Sequence, residues 1–143
     1  MGRIKFVLLA LICIGAIGYA CKKEPVDSKL FVERYLTGSD FTRWPIQSYV
    51  KLDFKNGDTL VKDTVDLAID TAIFHSNLQL IRGTEVVGFN VDAAGENITF
   101  ATQPDSTWKI DYVRPNTFKL VHERRETVGT DVMTYKIEQI FKK

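Results

Sequence analysis

The chain has 143 residues, 45% hydrophobic and 26% charged, with 19 basic residues against 18 acidic ones and two cysteines. A near-neutral, mixed surface lacks the concentrated basic patch that phosphate backbones require, so no nucleic-acid partner is expected. The length suits one core, and one domain is the natural count.

At the start of the chain, Arg3 and Lys5 flank an apolar run from Phe6 to Ala20, and Cys21 follows with Lys22-Lys23-Glu24-Pro25. The run is shorter than the roughly 20 apolar residues that cross a hydrocarbon core. A basic start, an apolar middle and small residues before a cleavage point make up a secretory signal. Gly18-Tyr19-Ala20-Cys21 resembles the lipobox of bacterial lipoproteins, whose cysteine is acylated before the peptide is cut. Ala20 fits that pattern, whereas Gly18 and Tyr19 depart from its usual residues. The resemblance implies a signal peptide over residues 1–20 and a lipid such as palmitate on Cys21, which attaches the protein to a membrane of the cell envelope. Lys22 stands where an aspartate would favour inner-membrane retention in enteric bacteria, so the outer membrane is expected, with periplasmic face or surface left open. Cys13 would leave with the signal, so the mature domain has no thiol for a disulfide or a metal. Loss of Arg3 and Lys5 takes the 19 basic residues to 17 against 18 acidic ones, a mature charge of about −1.

Residues 21–28 are polar, contain Pro25 and show no apolar period, which reads as a tether to a domain over 29–143. Ser28 is placed to cap a short helix with Leu30, Phe31, Arg34 and Tyr35 on one stripe, ending near Thr37-Gly38. From there the period is two. Ile46, Val50, Leu52 and Phe54 share a parity, followed by Asn56-Gly57, the favoured pair for a tight hairpin, and a return strand from near Thr59. Leu78 and Leu80, then Val87, Phe89 and Val91, then Ile98 and Phe100 continue the alternation between turns. Trp108, Ile110 and Tyr112 share a face, and after Arg114-Pro115-Asn116 the chain returns with Phe118 and Leu120. Met133, Tyr135, Ile137 and Phe141 form a last strand. Six to eight antiparallel strands joined by turns predict an all-β fold, an up-and-down barrel with a short N-terminal helix, or alternatively a β-sandwich. Barrel closure removes exposed edges.

Leu36-x-Gly38 followed by Trp44, and Trp108-x-Ile110 answered by Phe118-Lys119-Leu120, resemble the opening and the late hairpin of small lipocalin-like lipoproteins of the Bacteroidetes. The resemblance implies a calycin-type antiparallel barrel with an apolar interior.

No nucleophile elbow, phosphate-binding glycine loop or paired zinc-ligand spacing occurs, so neither an enzyme nor a cofactor nor a metal is expected. His122 and Glu123 are adjacent on a strand and point to opposite faces. Trp44, Phe54, Phe89, Phe100, Trp108, Tyr112 and Tyr135 fall on apolar parities and either pack the interior or line a ligand cavity; a small barrel is just wide enough for either. Asp-Ser/Thr triplets place Thr59, Thr64, Thr71 and Ser106 in a pattern that resembles the Bacteroidetes O-glycosylation signal, although such pairs are also natural at strand ends. Two functions follow: an anchored barrel binding a small hydrophobic ligand, or an accessory protein with a filled interior that docks on another envelope protein. The first expects small or polar inward positions such as Ser48.

Overall fold

A computed structural model describes residues 27–64 and 70–143. Cys21, the apolar run before it and most of the tether lie outside the described residues. Helix α1 (Ser28–Thr37) precedes β1 (Phe41–Lys55), β2 (Asp58–Thr64), β3 (Thr71–His75), β4 (Gln79–Arg82), β5 (Glu85–Val91), β6 (Asn97–Phe100), β7 (Ser106–Arg114), β8 (Thr117–Val128) and β9 (Asp131–Lys142). Each strand from β3 to β9 pairs antiparallel with the next, and β1 pairs antiparallel with both β3 and β9. Because β2 and β3 follow one another along the same side of β1, they fill one position in the ring, and the sheet closes as an eight-position up-and-down barrel. The closure decides for an up-and-down barrel over a sandwich.

The period-two reading holds except where a bulge resets it. Ile46 pairs with Phe141 but Ser48 with Ile140, so the parity of β1 reverses between them. Trp44 and Ile46 point inward, whereas Val50, Leu52 and Phe54 lie on the outer face, and Ser48 faces outward with Ile140. A second irregularity separates Ile110 from Tyr112: Ile110 pairs with the inward Leu120, while Tyr112 pairs with the outward Lys119. Val113, opposite the buried Phe118, takes the inner position expected for Tyr112. Asn56 and Gly57 meet the hairpin expectation, with φ of 52° and 95°.

Asp27, not Ser28, caps α1, its carboxylate accepting the Leu30 N–H at 3.2 Å. The buried stripe is Val32, Leu36 and Thr37, so Leu30 and Phe31 are left 51% and 57% exposed. The phase is set by the barrel: the Trp44 indole donates to the Leu36 carbonyl at 2.8 Å, and Tyr35 packs on Trp44 with ring centroids 5.3 Å apart. Helix α1 thereby covers one end of the barrel. Beneath it Trp44 meets Phe118 edge-on at 4.8 Å, Phe118 stacks on Phe141 at 4.3 Å, and Phe74 meets Phe89 at 5.3 Å. This end is filled by side chains, and the described core residues run from Val32 to Phe141.

The other end is asymmetric. Strand β7 pairs with β8 only as far as Val121, while β8, β9, β1 and β2 run on as a four-stranded wall. Its two hairpin tips are locked together: Lys55 Nζ lies 2.8 Å from Asp131, and the Asn56 side chain donates to Asp131 at 2.9 Å and accepts the Val132 N–H at 2.8 Å.

The β5–β6 turn braces the helix start. Gly95 has φ of 70°, and a Cβ there would stand 2.8 Å from the Ser28 carbonyl oxygen. Gly95→Ala is expected to cost about 1–3 kcal/mol in urea denaturation through combined clash and strain; an unchanged midpoint would show that turn and helix do not meet this closely. In the same turn Asp92 accepts from the Asn97 side chain at 2.7 Å and from the Glu96 N–H at 2.8 Å. These bonds, the Asn97 amide foremost, hold its carboxyl below the ordinary carboxylate value. A depressed folded pKa contributes stability above the unfolded value of about 3.9, which is lost as pH falls through the folded one. Stability followed by urea denaturation against pH is therefore expected to fall less steeply below about pH 4 in Asp92→Asn than in the natural chain. Equal slopes would contradict this.

Candidate ligand pocket at the barrel mouth

At the end opposite α1 the interior holds a cavity of about 150 Å³. Strand alternation supplies its walls. Ala72 and Phe74 come from β3, Leu80 from β4, Val87 from β5, Phe100 from β6, Trp108 from β7, Leu120 from β8 and Phe141 from β9. The polar lining is sparse: Arg82, Glu85, Thr102, Ser106 and Gln139. Ala72, only 2% exposed, is the smallest of the apolar lining side chains. Arg82 is paired with Asp70, which anchors it at the rim.

Trp108 forms the lip. Its indole N–H reaches Ser106 Oγ at 3.4 Å, and its ring lies 5.1 Å from the His122 ring. His122 donates through Nδ1 to the Thr107 carbonyl at 2.9 Å, which fixes the imidazole against the tryptophan. Above the lip, the inner face of the wall carries Lys51, Asp53, Arg124, Tyr135 and Ile137 around an open, shallow groove. The Tyr135 hydroxyl donates to Glu126 at 2.9 Å, and that acceptor raises its pKa above the ordinary phenol value. The Arg124 guanidinium lies 5.1 Å from the Tyr135 ring centroid.

Of the aromatic residues singled out in the sequence, Phe100 and Trp108 line the pocket. Trp44 and Phe89, 0% and 5% exposed, belong to the packed core. Phe54 and Tyr112 are on the outer face for the reasons of register given above, Tyr112 under the Arg114 guanidinium at 4.6 Å. Tyr135 stands on the wall beyond the lip. Thr59 and Thr64 lie exposed on β2, and Thr71 is half-buried at the start of β3 opposite Pro45. Ser106 is at the pocket rim. His122 and Glu123 do face opposite ways: Glu123 accepts from Arg125 at 2.7 Å on the outer face.

Gln139 escaped the sequence reading, although its signal was present: it is the polar member of the otherwise apolar series Met133, Tyr135, Ile137, Phe141. Among the described residues no three His, Cys, Asp or Glu side chains gather to hold a metal ion. What fold and site define together is a small closed β-barrel with one end packed and a ligand-sized apolar pocket at the other. No family model, curated protein or solved structure matches the chain.

Proposed function

We propose that this is a lipid-anchored cell-envelope lipoprotein of the lipocalin-like kind, which holds a small hydrophobic molecule in the mouth of its barrel. The pocket carries the reading. Its volume of about 150 Å³ is about that of an apolar protein cavity able to take up benzene, and sparse polar groups in an apolar lining are the usual composition of a ligand site.

An anchor on Cys21 sets which end of the barrel lies near the lipid. The described chain begins at Asp27, at the helix-covered end. From Cys21 to Asp27 the chain spans at most about 20 Å, which keeps that end close to the lipid and turns the mouth away from it. Leu30 and Phe31 are exposed on the helix at this anchored end. The lipid itself is tested by labelling with radioactive palmitate: Cys21→Ala is expected to lose the label, and undiminished labelling would contradict the anchor. The ligand is tested by native mass spectrometry and solvent extraction of residues 22–143 purified from the periplasm. A bound small apolar molecule is expected; bare polypeptide that also fails to bind toluene in solution would contradict the reading.

The accessory reading draws on Leu60, Val61, Val128 and Val132, which are 44–59% exposed on the wall. Val61 and Val128 lie on its inner face and Val132 on its outer face, so they form no single patch. A filled interior was part of that reading, and the mouth pocket favours the first.

A further inference from the structure

Two polar side chains are buried among the described residues, Thr37 and Gln139. The Thr37 hydroxyl donates to the Glu33 carbonyl at 2.9 Å. Gln139 is only 6% exposed, and none of the side-chain hydrogen bonds among the described residues engages its amide, which borders the open pocket. Register explains where the amide goes. On β9, Gln139 lies opposite Tyr49 of β1 and Leu120 of β8, on the inward parity with Phe141, and it lines the mouth pocket beside Phe74, Phe100 and Leu120.

A primary amide offers two donors and an acceptor, and in apolar surroundings an unmet amide is costly. In the open pocket, water can meet that need. A hydrocarbon filling the pocket would expel the water and strand the amide, whereas a ligand carrying one hydroxyl or carbonyl would replace the lost bond. The chemistry around the amide also restricts charge: Arg82 at the rim is already paired with Asp70, and a carboxylate taken into the apolar interior without a cation is strongly disfavoured.

We infer that Gln139 is a specificity-determining residue, and that the pocket selects a neutral apolar molecule bearing one hydrogen-bonding oxygen over the corresponding hydrocarbon. The inference rests on the mouth pocket being the ligand site. Sites built to pair a buried polar group discriminate against analogues lacking the partner more sharply than apolar pockets discriminate by size.

Phenol and toluene are close in shape and differ in one hydroxyl against one methyl, so they serve as probes. With both titrated calorimetrically into residues 22–143, the phenol-to-toluene affinity ratio is expected to be about tenfold higher in the natural chain than in Gln139→Leu, the difference that one net hydrogen bond makes. Toluene binding is expected to be retained in the variant. Gln139→Met provides the same readout should the leucine variant fold poorly. An unchanged ratio in a folded variant would overturn the inference while leaving the pocket reading intact. Failure of both probes to bind would overturn the pocket reading and this inference with it.

Discussion

Trp44→Ala is expected to remove about 3–5 kcal/mol of stability, the range for deleting a buried aromatic side chain. The indole is fully buried between Tyr35 of α1 and Phe118 of β8, and its N–H is the bond that ties the Leu36 carbonyl to the barrel. The Lys143 ammonium lies 4.0 Å from the ring centroid, and burial pushes its pKa below the ordinary value. Removing the ring therefore opens a cavity, strands a helix-terminal carbonyl and loosens the chain's last residue at once. Domains of this size have about 5–15 kcal/mol in total, so a large share of the stability goes. Trp44→Phe should cost less, because it keeps most of the packing and loses the hydrogen bond. Urea denaturation separates the two variants. A loss below about 1 kcal/mol for the alanine variant would contradict the account of the closed end.

Ala72→Leu is expected to eliminate ligand binding while leaving the domain folded. Ala72 lines the mouth pocket and is almost fully buried, so the added isopropyl group occupies the space a ligand would use. Cavity filling commonly raises stability by about 0.5–2 kcal/mol, whereas strain from overpacking lowers it by about 1–3 kcal/mol. The available volume of about 150 Å³ favours the first outcome. Toluene affinity should fall at least about a hundredfold, the effect of losing roughly 2.7 kcal/mol of contact. Calorimetry alongside urea denaturation checks both parts. Undiminished toluene affinity in a folded Ala72→Leu chain would place the ligand elsewhere.

The barrel was legible in the sequence because alternation and turn chemistry are local. Asn56-Gly57 specified its hairpin through positive φ, and the late pair of Trp108–Ile110 with Phe118–Leu120 showed its register through shared parity. Closure was foreseen from the need to protect edges. What the sequence hid were the breaks in parity. An extra residue in a strand changes no residue type, so nothing in Ile46-Gln47-Ser48 or Ile110-Asp111-Tyr112 announces that later side chains change faces. Alternation alone therefore places Phe54 and Tyr112 in an interior they do not enter. The phase of α1 was equally hidden, since Leu30 and Phe31 are as apolar as Val32 and Leu36; the Trp44 indole and the barrel rim decide which stripe is covered. Residue types also could not separate a packed interior from a hollow one. Both occur here, and position along the barrel axis distinguishes Trp44 and Phe89 from Phe100 and Trp108.

The central claim is that the mouth of the barrel, and no other surface, receives a small apolar ligand. A side-chain NMR titration of residues 22–143 with toluene tests it most directly. Saturable shifts at Ala72, Leu80, Val87 and Leu120, with Val32 at the closed end and Leu60 on the wall unmoved, are the predicted result. Shifts confined to Leu30, Phe31 or the wall tips, or no saturable shift at all, would contradict it.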